Sequence, residues 1–352
     1  MTGPVDMIDP ADMTGPVDPA PVDAAWVRAL PKAEVHLHLE GCVPPDLVAG
    51  AARDKGVDLT GAPGLPVRDL PGLLAYLDVA CALVDQPDQL TAIAYATVQR
   101  AAAAGVGHVD IICNPTHWPA WHGRLDALVD AVDAGLADAE SDGLGTAALC
   151  LSLKRTQTAA EAMDLVQWMI ESDRPRVVAL SIDGDEAGGT RSHTDRFEAA
   201  FAQARAGGLH RCAHAGESSG AQGVRDAVDR LGAERVDHGI RCVEDPALVA
   251  ELAARAVPLD ICPSSNVILG VVPSLAAHPV EALRRAGVRF SLNTDDPLLY
   301  GVDVPGEHLR CAGQFGWDRP TVAAVARTSI ESSFCDPDRR AVLLAQLDAY
   351  LG

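Results

Sequence analysis

Val35-His36-Leu37-His38-Leu39 sets two imidazoles two residues apart inside an apolar run. On a strand such residues point to one side, so both rings project together. Alone, this pair is also what surface or capping histidines give. Further polar residues close later apolar runs. His214 ends Arg211–His214, with Glu217 three residues on; His238 ends Arg235–His238; Asp295 and Asp296 follow Arg289–Asn293. Three histidines and an aspartate supply the neutral nitrogens and anionic oxygen that suit Zn²⁺. One position is then left for water, which makes such a site catalytic rather than structural.

The elements that must position these groups alternate in type. Strands are expected at Glu34–Leu39, His108–Cys113, Thr146–Leu153, Val177–Ile182, Arg211–His214, Arg235–His238, Pro258–Ile261 and Arg289–Asn293. Ala/Leu-rich helical stretches lie between them, several ending in Gly before the next β-branched run. That is the punctuation of αβ units. Eight of them predict an α/β fold, a (β/α)8 TIM barrel, with six or seven strands in an open sheet as the alternative. In a barrel, polar residues at the C-terminal ends of different strands meet at one mouth. The first connection, Gly41 to Gly107, exceeds what one crossover helix needs. Its Leu70, Leu73, Leu74 and Leu77 share a helical face, which predicts a helical lid with an apolar underside or plain helix packing.

Composition narrows the partners. A net charge of -21 disfavours a nucleic-acid backbone binder, since phosphates repel carboxylates. Apolar stretches fall short of the ~18 residues of a membrane span, and no targeting segment is visible. The nine cysteines stand singly, without a C-x-x-C, and read as reduced core thiols in a cytoplasmic protein. Residues 1–24, where Met-Thr-Gly-Pro-Val-Asp occurs twice, are expected to be a disordered acidic tail, and 25–352 a single domain.

With Pro31–Gly41, His214–Glu217, Val236–Gly239, Cys262–Asn266 and Ser291–Pro297 in order, the sequence resembles the adenosine deaminase family. These are zinc-dependent aminopurine hydrolases of the amidohydrolase superfamily. The resemblance implies one Zn²⁺ per chain, held by His36, His38, His214 and Asp295. It implies Glu217 as the acid that protonates purine N1, and His238 as the residue that orients or deprotonates the water. It implies Asp296 on the N7 side of the purine, and Gly184 offering a backbone N–H to N3. Against these roles stand ordinary ones: Asp237 could be the partner of His238, and Asp295 or Asp296 could cap the helix that follows. The other histidines, His108, His117, His122, His193, His210, His278 and His308, match no metal spacing and receive no role.

Departures from the nucleoside pattern bear on the substrate. Glu40 stands where enzymes acting on adenosine carry Asp, and its extra methylene would crowd a ribose or suit another leaving group. The second strand lacks an Arg, and Asn114-Pro115-Thr116-His117 is more like the adenine-deaminase branch. The fourth-strand loop, Ser181–Gly188, looks shorter than the adenosine version. The expected reaction is hydrolytic deamination of a purine nucleoside or base: adenosine or 2'-deoxyadenosine to inosine, or adenine to hypoxanthine. A modified adenosine such as aminodeoxyfutalosine is an alternative substrate, and a zinc-binding scaffold without turnover is an alternative function.

Overall fold

The computed structural model describes residues 21–59, 66–186 and 190–352, the side chains of 190–193 excepted. Eight strands, β1 (Lys32–His38), β2 (Val106–Cys113), β3 (Thr146–Lys154), β4 (Val177–Asp183), β5 (His210–Ala215), β6 (Arg235–His238), β7 (Leu259–Ile261) and β8 (Phe290–Leu292), pair in chain order, all parallel. The eight expected strands are present, within two residues of their expected ends. β8 closes onto β1 through a bridge between Leu37 and Asp295. There the His38 N–H donates to the Asp295 carbonyl at 2.9 Å, and the Asp295 N–H to the His36 carbonyl at 3.1 Å. The ring of strands is thus completed by residues that also carry candidate chemistry.

Helices separate the strands and bury their apolar faces against the barrel. The long first connection holds helices Pro45–Lys55, Leu70–Ala82 and Pro87–Ala103. The last is the ordinary barrel helix. The middle one brings Leu70, Leu73, Leu74 and Leu77 to the same cavity as the strand-end histidines. No helix among the described residues is long and apolar enough to cross a membrane. All nine cysteines are buried and free, as expected of core thiols.

The repeated hexapeptide lies outside the described residues; Asp23 accepts the Trp26 N–H at 2.9 Å, capping helix Ala24–Ala29. Arg319 donates to the Pro21 carbonyl and the Asp23 carboxylate, tying this start to the body.

Below the mouth, the barrel interior holds an ionic cluster. Arg235 of β6 pairs with Asp110 at 2.6 Å and Asp260 at 2.8 Å, and all three are buried. It also donates to the Val35 carbonyl at 2.9 Å and lies 3.8 Å over the Phe334 ring. Asp110 in turn receives His108 and the Phe334 N–H. Four strands are cross-tied this way beneath the site. Removing one member of such a cluster leaves uncompensated buried charge, at a cost of about 3–5 kcal/mol. Arg235→Met is therefore expected to lose about that much stability in urea unfolding; a loss within experimental error would contradict a tie that depends on charge.

Candidate active site

Strand alternation sends His36 and His38 of β1 to the interior side, and the last residues of β5 and β6 deliver His214 and His238 to the same end. Asp295 arrives from the turn after β8. His238 and Asp295 are non-glycine residues in the left-handed region, at φ 62° and 65°. Such strain persists only where surroundings over-determine it, and here both turns aim a side chain inward. Gly41 makes room beside them, because a Cβ there would stand 2.0 Å from Asp296 Oδ1.

One donor atom each from His36, His38, His214 and Asp295 falls within 4.8 Å of the others. His38 Nε2 lies 3.0 Å from His214 Nε2, and Asp295 Oδ1 lies 3.3 Å from both His36 Nε2 and His38 Nε2. His36 Nε2 is buried and has no hydrogen-bond partner. Its Nδ1–H donates to the Asp260 carbonyl at 3.1 Å, which leaves the Nε2 lone pair bare. Asp237 Oδ2 stands 3.2 Å from His214 Nδ1, an ion-pair contact that favours the ring proton on that nitrogen. Ser265 donates to Asp295 Oδ2 at 2.7 Å, so Oδ1 is the oxygen free to face the rings. Bare nitrogens and a carboxylate converging in a buried space fit a divalent cation.

Asp237 is thus the partner of His214, not of His238. Asp237 stands in register with His214 on the neighbouring strand, and the left-handed backbone of His238 turns that ring away from the residue before it. The capping role of the aspartates also fails: Asp296 occupies the position before helix Pro297–Tyr300, but its side chain makes no capping hydrogen bond.

Glu217 and His238 flank the cluster, His238 Nε2 lying 3.5 Å from Glu217 Oε1 and 3.9 Å from Asp295 Oδ2. Burial, reinforced by the Asp295 and Glu186 carboxylates, pushes Glu217 well above the usual carboxylate range. Asp296 is raised in the same way, by burial first and then by Asp295 and Glu40. Burial and the neighbouring His36 hold His238 well below the usual imidazole range. Burial thus biases both carboxyls toward holding a proton and the imidazole toward losing one, beside the cation-fitting cluster.

Glu40 lines the cavity. Its Oε1 accepts the Asn114 N–H at 2.8 Å and Trp118 Nε1–H at 2.7 Å, while Oε2 is buried without a partner. Burial raises this carboxyl to about 7. Gly184 lines the same cavity at φ 89°, in a turn that carbonyl bonding to Arg155 holds open. Asp183, on the same wall, accepts from Asn114 at 2.6 Å.

Three residues without a sequence role belong here. His117 lines the cavity, its Nδ1 2.6 Å from Asp78. His278 reaches His238 through Asn266. Glu186, buried after β4, accepts the backbone N–H groups of Gly216, Glu217, Ser218 and Ser219 at 2.9–3.2 Å, plus the Ser219 hydroxyl. One carboxylate therefore shapes the whole loop that carries Glu217. The acidic pair Asp185-Glu186 in a strand-end loop was its only sequence signal.

A family model described as adenosine deaminase matches residues 31–350. An adenine deaminase of Rhodospirillum rubrum is 33% identical over 334 residues, 93% of this chain and 99% of that protein. One of Rhodopseudomonas palustris is 31% identical over 333 residues, 93% of this chain and 96% of that protein. Among solved structures, an adenine deaminase from Arthrobacter aurescens superposes with a TM-score of 0.84 at 31% identity, covering 92% of this chain and 99% of its own. An amidohydrolase from Burkholderia ambifaria, solved with bound Zn, has a TM-score of 0.81 at 28% identity and 96% coverage of each chain.

The Glu186 cradle makes a prediction independent of activity. In Glu186→Ala, four backbone donors lose their acceptor, each at about 1–3 kcal/mol if left unsatisfied. Amide hydrogen exchange at 216–219 should speed by at least about tenfold while β5 stays protected. Unchanged protection of that loop would contradict the cradle.

Proposed function

The chain belongs to the adenosine deaminase family, and from that premise we propose that it hydrolytically deaminates a 6-aminopurine, with free adenine as the substrate that fits this pocket best. The observation that carries the substrate is Glu40. Its Oε1 is consumed by Asn114 and Trp118, its buried Oε2 has no protein donor, and the residue lines the same cavity as Asp296. Free adenine carries a ring N–H on its five-membered ring; a nucleoside carries a sugar there. A purine whose N7 meets Asp296 turns that N–H toward Glu40, while the leucines of helix Leu70–Ala82 close over the place a ribose would occupy. The relatives named adenine deaminase agree with this reading.

His36, His38, His214 and Asp295 would hold one Zn²⁺, the metal of the Burkholderia relative. When bound, zinc supplies the Lewis acidity that makes a water nucleophilic near neutral pH. The remaining work falls to the chain's own groups. Addition at C6 drives ring electron density onto N1, and the protonated Glu217 carboxyl holds a proton there to receive it. The protonated Asp296 carboxyl can donate to N7, which has only a lone pair to offer. The backbone N–H of Gly184 suits N3, on the opposite edge. His238, uncharged, stands between Glu217 and Asp295 and orients the attacking water. The leucines exclude bulk water, strengthening each of these polar contacts. The proton of the newly added hydroxyl passes to the amino nitrogen as the C6–N bond breaks, so that ammonia leaves and a carbonyl oxygen takes its place.

The test is ultraviolet absorbance of adenine, adenosine, 2'-deoxyadenosine, AMP and aminodeoxyfutalosine with zinc-loaded protein. Adenine is expected to be consumed with a kcat/KM at least about 100-fold above that of adenosine, as befits a site whose buried acceptor goes unpaired with the wrong ligand. Preference for a nucleoside would contradict the role given to Glu40, and an inert protein would contradict the enzyme reading. Glu217→Gln keeps the shape but loses the proton, and should lower kcat by about 10²–10⁴-fold; an undiminished rate would remove Glu217 as the N1 acid.

A further inference from the structure

The direction of every hydrogen bond between Val280 and His238 can be read from its starting point. The Val280 backbone N–H donates to His278 Nδ1 at 3.1 Å. A backbone N–H can only donate, so His278 Nδ1 bears a lone pair and its proton sits on Nε2. That Nε2–H donates to Asn266 Oδ1 at 3.1 Å. The opposite orientation of the Asn266 amide is ruled out, because it would set two donors against each other. Asn266 Nδ2 therefore faces His238 Nδ1, at 3.2 Å, and donates to it. His238 Nδ1 is left as the acceptor and its single proton falls on Nε2.

The surroundings of His238 Nε2 agree. Two carboxylate oxygens stand near it, Glu217 Oε1 at 3.5 Å and Asp295 Oδ2 at 3.9 Å. His278, Asn266 and His238 are all buried, so water cannot easily substitute for a link in the chain. Burial also holds the His278 ring uncharged, with its pKa lowered to about 4, and so keeps one lone pair on it for Val280.

We propose that His278, acting through Asn266, is a positioning residue that locks His238 as an Nε2–H donor, so that His238 gives a hydrogen bond to the attacking water rather than accepting its proton. The lock involves no change of charge on any of the three residues. What the donor meets rests on the deaminase reading above; the lock itself does not. It also accounts for Asn266 closing the segment Cys262-Pro263-Ser264-Ser265-Asn266. Ser265 orients the Asp295 carboxylate and the next residue sets the proton of His238.

The test is nitrogen NMR of the zinc-loaded full chain with ¹⁵N-labelled histidine near neutral pH. The His238 ring signals are assigned by their loss in His238→Asn. The expected result is a protonated Nε2 and a bare Nδ1; a proton on Nδ1, or on both nitrogens, would overturn the lock. His278→Phe, which keeps bulk but neither contact, should show mixed His238 tautomers and a kcat lower by about tenfold, with KM within about twofold. His278→Gln can both accept from Val280 and donate to Asn266, and should restore the single tautomer and most of the rate. A single Nε2–H tautomer with full kcat in the Phe variant would overturn the role of His278. Should that variant not fold, the wild-type spectrum decides alone. An inert wild type with the expected tautomer would contradict the deaminase reading and leave the lock standing.

Discussion

Buried donor atoms that all present lone pairs to one point repel each other, and the rest of the molecule is arranged around that fact. His36, His38, His214 and Asp295 come from two strands and a turn, yet their atoms crowd within 4.8 Å. In an apolar interior such an arrangement is costly unless a cation compensates it. The backbone enforces the convergence: Asp295 closes the barrel by exchanging hydrogen bonds with His36 and His38, and adopts a left-handed conformation to do so. Barrel closure and site assembly are one event, so the side chains cannot relax apart without opening the strand ring.

Each group facing the cluster is held by a second one behind it. The Asp260 carbonyl and Asp237 turn two rings so that their bare nitrogens point inward. Ser265 takes one oxygen of Asp295, and Glu186 gathers the amides of the Glu217 loop. Beneath them Arg235 ties β6 to β1, β2 and β7. The same burial that makes these ties stiff pushes the Glu217 and Asp296 carboxyls above the usual carboxylate range. Stability and reactivity here come from one low-dielectric interior.

Much of this was legible in the sequence, for a physical reason. Strand periodicity and Gly-terminated helices mark the αβ units, and a barrel brings strand ends together, so His36, His38, His214, His238 and Asp295 stood out. The supporting residues did not. Asp237 was misdirected because its partner, His214, stands across from it on the neighbouring strand, a pairing that the register and not the local sequence sets. His278 lies 40 residues from His238 and acts through a third residue, a relation no local spacing encodes. Glu186 sits in a polar loop where its composition matches any solvated turn. Glu40 was noticed for its length, but the use of one oxygen by Asn114 and Trp118, with the other left without a partner, depends on how β1 and β2 pack.

The central claim is that these four converging donors exist to hold one divalent cation on which the chemistry depends. Zinc K-edge X-ray absorption on the purified chain, with metal content determined on the same sample, tests it most directly. The account predicts one zinc per chain in a shell of histidine nitrogens and oxygens with no sulfur ligand, lost in His214→Ala. A sulfur ligand, or a metal content that His214→Ala leaves unchanged, would contradict it.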